Sequence, residues 1–280
     1  MTISVVDYRS PTAAADFTAS LHETGFGVLI NHPIPESLVR SIFERWLDFF
    51  QTGRKDGLEF SSERFDGFFS TAVSETAKGE TVKDFKEFYH VYPWGRVPEH
   101  LRAEAMDYYV QANSLAAELL SWVEQYTPPD ISSFYSQSLS SMIDDSQQTL
   151  LRVLHYPPLT GDEPEGSVRA AAHGDINLLT VLPAANAPGL QVLAKDGTWV
   201  DVPCDFGMLI INIGDMLQEA SRGYYPSTIH RVVNPTESKF NVSRVSLPLF
   251  LHPKGDVVLS ERYTAQSYLA ERLRELGMKK

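Results

Sequence analysis

Cysteine is nearly absent: Cys204 is the single one among 280 residues. No internal disulfide can form, which excludes a stapled secreted scaffold and points to a reducing compartment, with Cys204 read as a small apolar filler. Long apolar runs are missing too, and none approaches the ~20 residues that a membrane-spanning helix needs. The opening Met1-Thr2-Ile3-Ser4-Val5-Val6-Asp7 lacks the basic stretch followed by an apolar one that marks a secretion signal. A cytoplasmic protein with no membrane partner is expected. Positive charge is scarce as well, 24 Lys and Arg against 36 Asp and Glu, a net charge of -12. Such a surface offers no basic footprint for a phosphate backbone, so nucleic acid is not an expected partner.

What is present is enough apolar material for a sizeable core, 43% of the chain, laid out in two textures. Residues 1–148 are mainly helical. Ser10-Pro11 reads as the start of a helix that ends near Gly25, and a strand follows to Ile30. From Pro35, apolar residues recur every three to four positions through Val39, Ile42, Trp46 and Phe50, one buried face of a helix. Leu101 to Tyr126 repeats that spacing before Pro128-Pro129, with a strand-like Phe88–Tyr92 between the two helices. Residues 149–260 carry short Val, Ile and Leu runs instead, at 150–156, 170–175, 178–183, 190–193, 199–202, 208–213, 228–233 and 244–251. Asp196-Gly197 between two of these runs signals a hairpin. Many short strands at this spacing predict an antiparallel sandwich, best a double-stranded β-helix or jelly roll, rather than alternating β and α units. The expected class is α+β, mostly β: one domain over 1–280, whose jelly-roll core is flanked by N-terminal helices and closed by a helix in 261–280.

Chemistry concentrates in three places on the strand-rich half. His173 and Asp175 are two apart, and in a strand that spacing puts both on one face. His230 lies in a later strand, Thr228-Ile229-His230-Arg231-Val232, which a jelly roll can bring opposite the first. Two imidazoles and a carboxylate on one side of a metal form the facial triad of non-haem Fe(II) oxygenases, with positions left open. His-x-Asp alone arises often by chance; its setting in strands strengthens the reading. Arg244 and Ser246, again two apart, share a face where a guanidinium fork and a hydroxyl suit a carboxylate.

Tyr156-Pro157, His173-Gly174-Asp175, Gly189-Leu190-Gln191-Val192, Asn212-Ile213-Gly214-Asp215, His230-Arg231-Val232-Val233-Asn234 and Arg244-Val245-Ser246 follow one another in an order and spacing that resembles the isopenicillin N synthase-like group of Fe(II)/2-oxoglutarate-dependent oxygenases. The likeness extends to Gly25-Phe26-Gly27, Asn31-His32 and Asp84-Phe85-Lys86-Glu87-Phe88, and so runs along nearly the whole chain. It implies that His173, Asp175 and His230 ligate Fe(II), that Arg244 and Ser246 clamp the distal carboxylate of 2-oxoglutarate, and that Tyr156 adds a carboxylate contact. By the same resemblance O₂ and 2-oxoglutarate are consumed, succinate and CO₂ are released, and a C–H bond of a small molecule is hydroxylated, desaturated or cyclised. One departure stands out: plant members commonly carry Asn two positions before the tyrosine, and here Leu154 takes that place.

Other residues carry weaker expectations. Phe69, Tyr89, Tyr92 and Trp94, in the variable stretch 61–95, are candidates for an apolar substrate wall, although core packing explains them equally well. Arg169 and Arg222 flank the site and could meet an acidic substrate, although solvated arginines are commoner. His155 points to the face opposite Tyr156, and Asp215 reads as a turn former rather than a fourth ligand. The rival within the fold is an isopenicillin N synthase-type oxidase that uses no 2-oxoglutarate. A noncatalytic jelly-roll binding module or a zinc hydrolase are more distant alternatives; the complete triad argues against the first, and the lack of a His-Glu pair against the second. Substrate identity and oligomeric state are not encoded in any motif here.

Overall fold

A computed structural model describes residues 1–52, 55–60, 64–71, 84–163, 166–185 and 187–275. Parts of the stretch expected to shape the entrance, 61–63 and 72–83, lie outside the described residues, as do the last residues of the C-terminal helix.

The first segment runs β1 (Val5–Asp7), α1 (Ala13–Thr24) and β2 (Phe26–Ile30). α1 begins two residues later than expected: Ser10 closes a turn with its carbonyl, and Thr12 is the residue before the helix. It stops where expected, at Gly25, whose φ of 73° is the left-handed region that glycine enters without penalty. A side chain there would also collide with Pro226 and Thr228. α2 (Glu36–Gln51), β3 (Gly67–Phe69), β4 (Glu87–Val91), α3 (Glu99–Gln125) and the short α4 (Pro129–Ser132) complete the first half. The second half holds β5 (Leu150–Tyr156), β6 (Ala170–His173), β7 (Leu179–Pro183), β8 (Leu190–Leu193), β9 (Trp199–Asp201), β10 (Leu209–Ile213), α5 (Asp215–Ala220), β11 (His230–Val232), β12 (Arg244–Ser246), β13 (Leu249–Leu251) and α6 (Ala265–Glu275). The single run expected at 244–251 is two strands, because Pro248 cannot donate to a ladder. Its carbonyl accepts from the Arg152 amide between them.

Two sheets form. The larger has the order β1-β2-β10-β7-β13-β5-β4-β3, with β12 also on β5; the smaller has β6-β11-β8-β9. Between them lie Phe26, Val28 and Ile210 from the larger sheet and Ala170, Leu190, Val192, Val202 and Val232 from the smaller side, one apolar filling. The outer face of the larger sheet is covered by the helices: Phe17, Leu21, Trp46, Leu115 and Leu119 pack with Leu29, Leu151, Val153, Val181 and Leu249. This is the expected jelly roll with flanking helices, with one addition. The N-terminal region contributes strands to the larger sheet itself, since β2 pairs β10 and β4 pairs β5.

Strand alternation then decides what faces where. On β5, Leu151 and Val153 face the helices, while Leu154 and Tyr156 cluster with Phe69 and Phe88 on the opposite face. His155 falls on the helix side, stacked on Phe50 at 5.1 Å and bonded to Glu87 at 2.8 Å, as its parity predicts. The Asp196-Gly197 hairpin joins β8 and β9, pairing Leu193 with Trp199.

Candidate metal centre and carboxylate pocket

His173 and His230 are direct cross-strand partners in the smaller sheet, β6 against β11, and their ring centres lie 4.4 Å apart. Asp175 is not on that strand. β6 ends at His173, and the carboxylate sits in the following turn, reaching across to the larger sheet. The expected shared strand face is therefore corrected to a strand end plus a turn. The turn is anchored by the Asp215 amide, which donates to the Asp175 carbonyl at 2.7 Å. Asp215 opens α5, and Gly214 before it leaves no room for a side chain against the Asn177 backbone.

One ligand atom from each of the three residues lies within 4.8 Å of the other two. The outward atom of every ligand is already committed. His173 Nδ1 donates to the Ala171 carbonyl at 2.7 Å and His230 Nδ1 to the Thr228 carbonyl at 3.2 Å, which leaves both Nε2 lone pairs pointing inward. Asp175 Oδ2 accepts from Thr180 Oγ1 at 2.5 Å and Asn212 Nδ2 at 2.8 Å, leaving Oδ1, 3.8 Å from His230 Nε2. Two imidazoles and one carboxylate with converging free atoms fit a divalent transition metal.

Charge supports the same donor set. Burial, reinforced by the neighbouring His230, pulls the His173 imidazole down to about 4. Burial alone would raise Asp175, but the two imidazoles and the bonds from Asn212 and Thr180 hold it below the usual carboxylate range. Asp84 steadies the strand from outside: one of its oxygens accepts the Ala171 amide at 2.9 Å and the other meets Lys86 Nζ at 2.7 Å. Asn212 and Thr180 had no role assigned from sequence. A lone polar residue in the otherwise apolar Leu209-Ile210-Ile211-Asn212-Ile213 was the available signal, since a buried amide demands a partner.

Asn212→Leu is expected to leave the fold intact and to weaken iron binding by about 10-fold to 100-fold, the range for removing an orienting partner of a ligand. An iron titration of the purified variant checks it.

Two half-buried imidazoles also set an acid limit. His252, like His173, is pulled down to about 4 by burial. The unfolded chain takes up protons on both groups below about pH 6.5, and the folded metal-free protein does so only near pH 4. Stability is therefore expected to be at its full value above pH 6.5 and to fall as pH drops through that window. Urea unfolding at several pH values, with chelator present, reads this directly.

The second constellation sits where β12 pairs β5, with Arg244 opposite Tyr156 and Ser246 opposite Leu154. Arg244, Ser246 and Tyr156 are all buried. The Arg244 guanidinium gives one hydrogen bond to the Pro188 carbonyl at 3.0 Å, while its Nε has no partner. Among the described residues it meets no carboxylate. Burial depresses its pKa, as expected for a cation held without a counter-charge. Leu154 replaces a polar neighbour with apolar wall, packed with Phe69, Phe88 and Tyr156.

The remaining candidates disperse. Phe69 joins the Tyr156 cluster, stacked on Phe88 at 4.5 Å. Tyr89 is fully buried on the other face of β4, against Trp46 and Phe49, with its hydroxyl on the Arg96 carbonyl. Tyr92 and Trp94 stack on each other at 4.6 Å, and Trp94 is largely exposed. Arg222 is exposed over the Phe134 ring and borders an outer crevice with Glu219, Glu261 and Arg262, which no metal-site residue lines. Arg169 is not solvated but completely buried, beside Arg244. Cys204 is half-buried at the edge of the filling between the sheets.

A family model described as the 2OG-Fe(II) oxygenase superfamily matches residues 147–253, and one for the N-terminal region of non-haem dioxygenases in morphine synthesis matches residues 3–112. A crystal structure of a candidate oxygenase from Shewanella oneidensis is 59% identical, with a TM-score of 0.90 over 99% of both chains. A 2OG-Fe(II) oxygenase family protein from Caulobacter crescentus is 29% identical, with a TM-score of 0.80 over 98% of this chain and 99% of that one. Flavanone 3-dioxygenase 2 of Oryza sativa subsp. japonica is 29% identical over 92% of this chain and 75% of its own length.

Proposed function

Because the chain belongs to the 2OG-Fe(II) oxygenase superfamily, we propose that His173, Asp175 and His230 hold its iron and that Arg244, with Ser246 and Tyr156, receives the distal carboxylate of 2-oxoglutarate. The protein is an Fe(II)/2-oxoglutarate-dependent dioxygenase, oxidising a C–H bond with release of succinate and CO₂. The observation that carries the site assignment is the commitment of every outward donor and acceptor on the triad, which leaves three converging atoms with no hydrogen bond among the described residues.

Iron bound there would supply the electrons that let O₂ react with a spin-paired organic substrate. The chain's own residues prepare the place. Asp175 remains anionic and His173 neutral, so these two ligands need no proton removed at neutral pH. Thr180 and Asn212 prevent the carboxylate from rotating. Arg244 holds a buried positive charge that meets no carboxylate among the described residues, and an incoming carboxylate can neutralise it. Phe69, Phe88 and Leu154 line the same face with apolar surface, which keeps water away from the reacting groups.

The substrate is a small molecule, and of the four aromatic candidates Phe69 is the one that shares the apolar cluster of Tyr156. Flavanones, gibberellins and feruloyl CoA appear in the names of relatives 25–29% identical, so the likeness carries the chemistry and no single substrate. A single-domain organisation over 1–280 and a cytoplasmic setting, the latter supported by the free thiol of Cys204, belong to this proposal. No described helix is long and apolar enough to cross a membrane.

Adding 2-oxoglutarate to the Fe(II)-loaded protein without oxygen tests the reading. A visible absorption band is expected in the wild type and not in His230→Ala. An unchanged spectrum in the wild type would contradict the assigned site.

A further inference from the structure

We infer that Arg169 is a second cationic group of the 2-oxoglutarate pocket, a positioning residue that acts on the distal carboxylate from behind Tyr156 and Arg244 and selects for a dicarboxylate. The inference rests on the reading of Arg244 as the carboxylate clamp.

Arg169 immediately precedes β6 and shares the strand parity of Ala171 and His173. Its accessible surface is 0%, so it does not line an open cleft. Its backbone is pinned by Asn234, which accepts the Arg169 amide at 3.1 Å and donates to the Ser167 carbonyl at 2.7 Å. The guanidinium gives one hydrogen bond, from Nη2 to the Val242 carbonyl at 3.2 Å, and its Nε is buried with no partner. Its central carbon lies 5.8 Å from the centre of the Tyr156 ring, and that of Arg244 lies 5.9 Å from the same ring. One buried aromatic ring thus carries two guanidinium groups, each with an unpartnered Nε.

Neither arginine meets a carboxylate among the described residues. The contrast within the same interior is Lys86, which is equally buried and sits on Asp84 at 2.7 Å. Two like charges placed together in a low-dielectric site destabilise each other and each pays for lost hydration, unless an anion joins them. The lower pKa of Arg169, caused by burial and then by Arg244, agrees with that strain. A buried pair of cations that meets no carboxylate among the described residues is a place for negative charge from outside. A 2-oxo acid with a second carboxylate supplies it, whereas a monocarboxylate of the same length leaves both cations unneutralised.

The test is anaerobic calorimetry on the Fe(II) holoenzyme with two ligands, 2-oxoglutarate and 2-oxopentanoate, which differ by the distal carboxylate. Arg169→Gln is expected to weaken 2-oxoglutarate by roughly tenfold, the equivalent of one partly buried charge interaction, and to leave 2-oxopentanoate unchanged. Arg169→Lys keeps the charge and is expected to recover most of the loss. Arg169→Met, which preserves the apolar stem, repeats the measurement should the Gln variant not fold. Equal weakening of both ligands, or a Lys variant as impaired as the Gln one, would show a residue that only shapes the pocket and would overturn the inference. Arg244→Gln is run alongside. If it weakens 2-oxoglutarate and Arg169→Gln does not, this inference fails alone; if Arg244→Gln has no effect either, the clamp reading fails with it.

Discussion

Asp175→Ala is expected to abolish turnover, by on the order of a thousandfold or more, while the melting temperature of the metal-free protein changes little. The loss is large because Asp175 is the only anionic donor in the triad, and two imidazoles alone compete poorly with water for a divalent cation. Stability is spared for a different reason. Asp175 is buried at 7% exposure, where desolvation of its charge works against the help it gets from the neighbouring imidazoles, and the rest of its folded-state contribution comes from the two hydrogen bonds from Thr180 and Asn212. Removing it leaves those two donors unsatisfied, a cost of about 1–3 kcal/mol, partly offset by relief of a desolvated charge. His173→Ala and His230→Ala are expected to follow the same pattern. Full activity at limiting iron in any of the three would remove that residue from the ligand set.

The second large effect concerns the cosubstrate. Arg244→Gln should raise the 2-oxoglutarate requirement by roughly a hundredfold or more, because a carboxylate buried against a lost guanidinium forfeits about 3 kcal/mol or more. Iron affinity should stay close to wild type, since Arg244 touches none of the three ligands and faces Tyr156 across the β5–β12 ladder. Steady-state KM for 2-oxoglutarate together with an iron titration separates the two quantities. A fall in iron affinity matching the rise in KM would mean that the substitution had disturbed the sheet rather than a carboxylate contact.

Much of this architecture could be read from residue order because its determinants are local. The Val, Ile and Leu runs marked β5, β7, β8 and β10 within a residue or so, and the 3.6-residue spacing of Val39, Ile42, Trp46 and Phe50 marked α2. Parity alone put His155 against Phe50 and away from Tyr156. The short strands β1 and β3 were not legible, since three residues carry no usable period and their extended form is imposed by β2 and β4. α5 was missed because Asp215 reads as a turn residue, and only the packing of Met216 and Leu217 into the core extends the turn into a helix. The site behaved likewise. Ligand identity followed from residue type and order, whereas the orienting bonds to Asp175 come from two strands, β7 and β10, that lie far from it in sequence. The burial of Arg169 was not legible either, since arginines are mostly exposed. Its strand parity with His173 was the one hint that this guanidinium turns inward.

Oxygen uptake by the iron-loaded enzyme, followed with and without 2-oxoglutarate while succinate is quantified, tests the central claim most directly. The account predicts that substrate oxidation stops when 2-oxoglutarate is rigorously removed, and that succinate forms at no less than one per product when it is restored. Substrate oxidation at full rate without 2-oxoglutarate and without succinate would contradict it, and would mark the protein as the oxidase of the same fold.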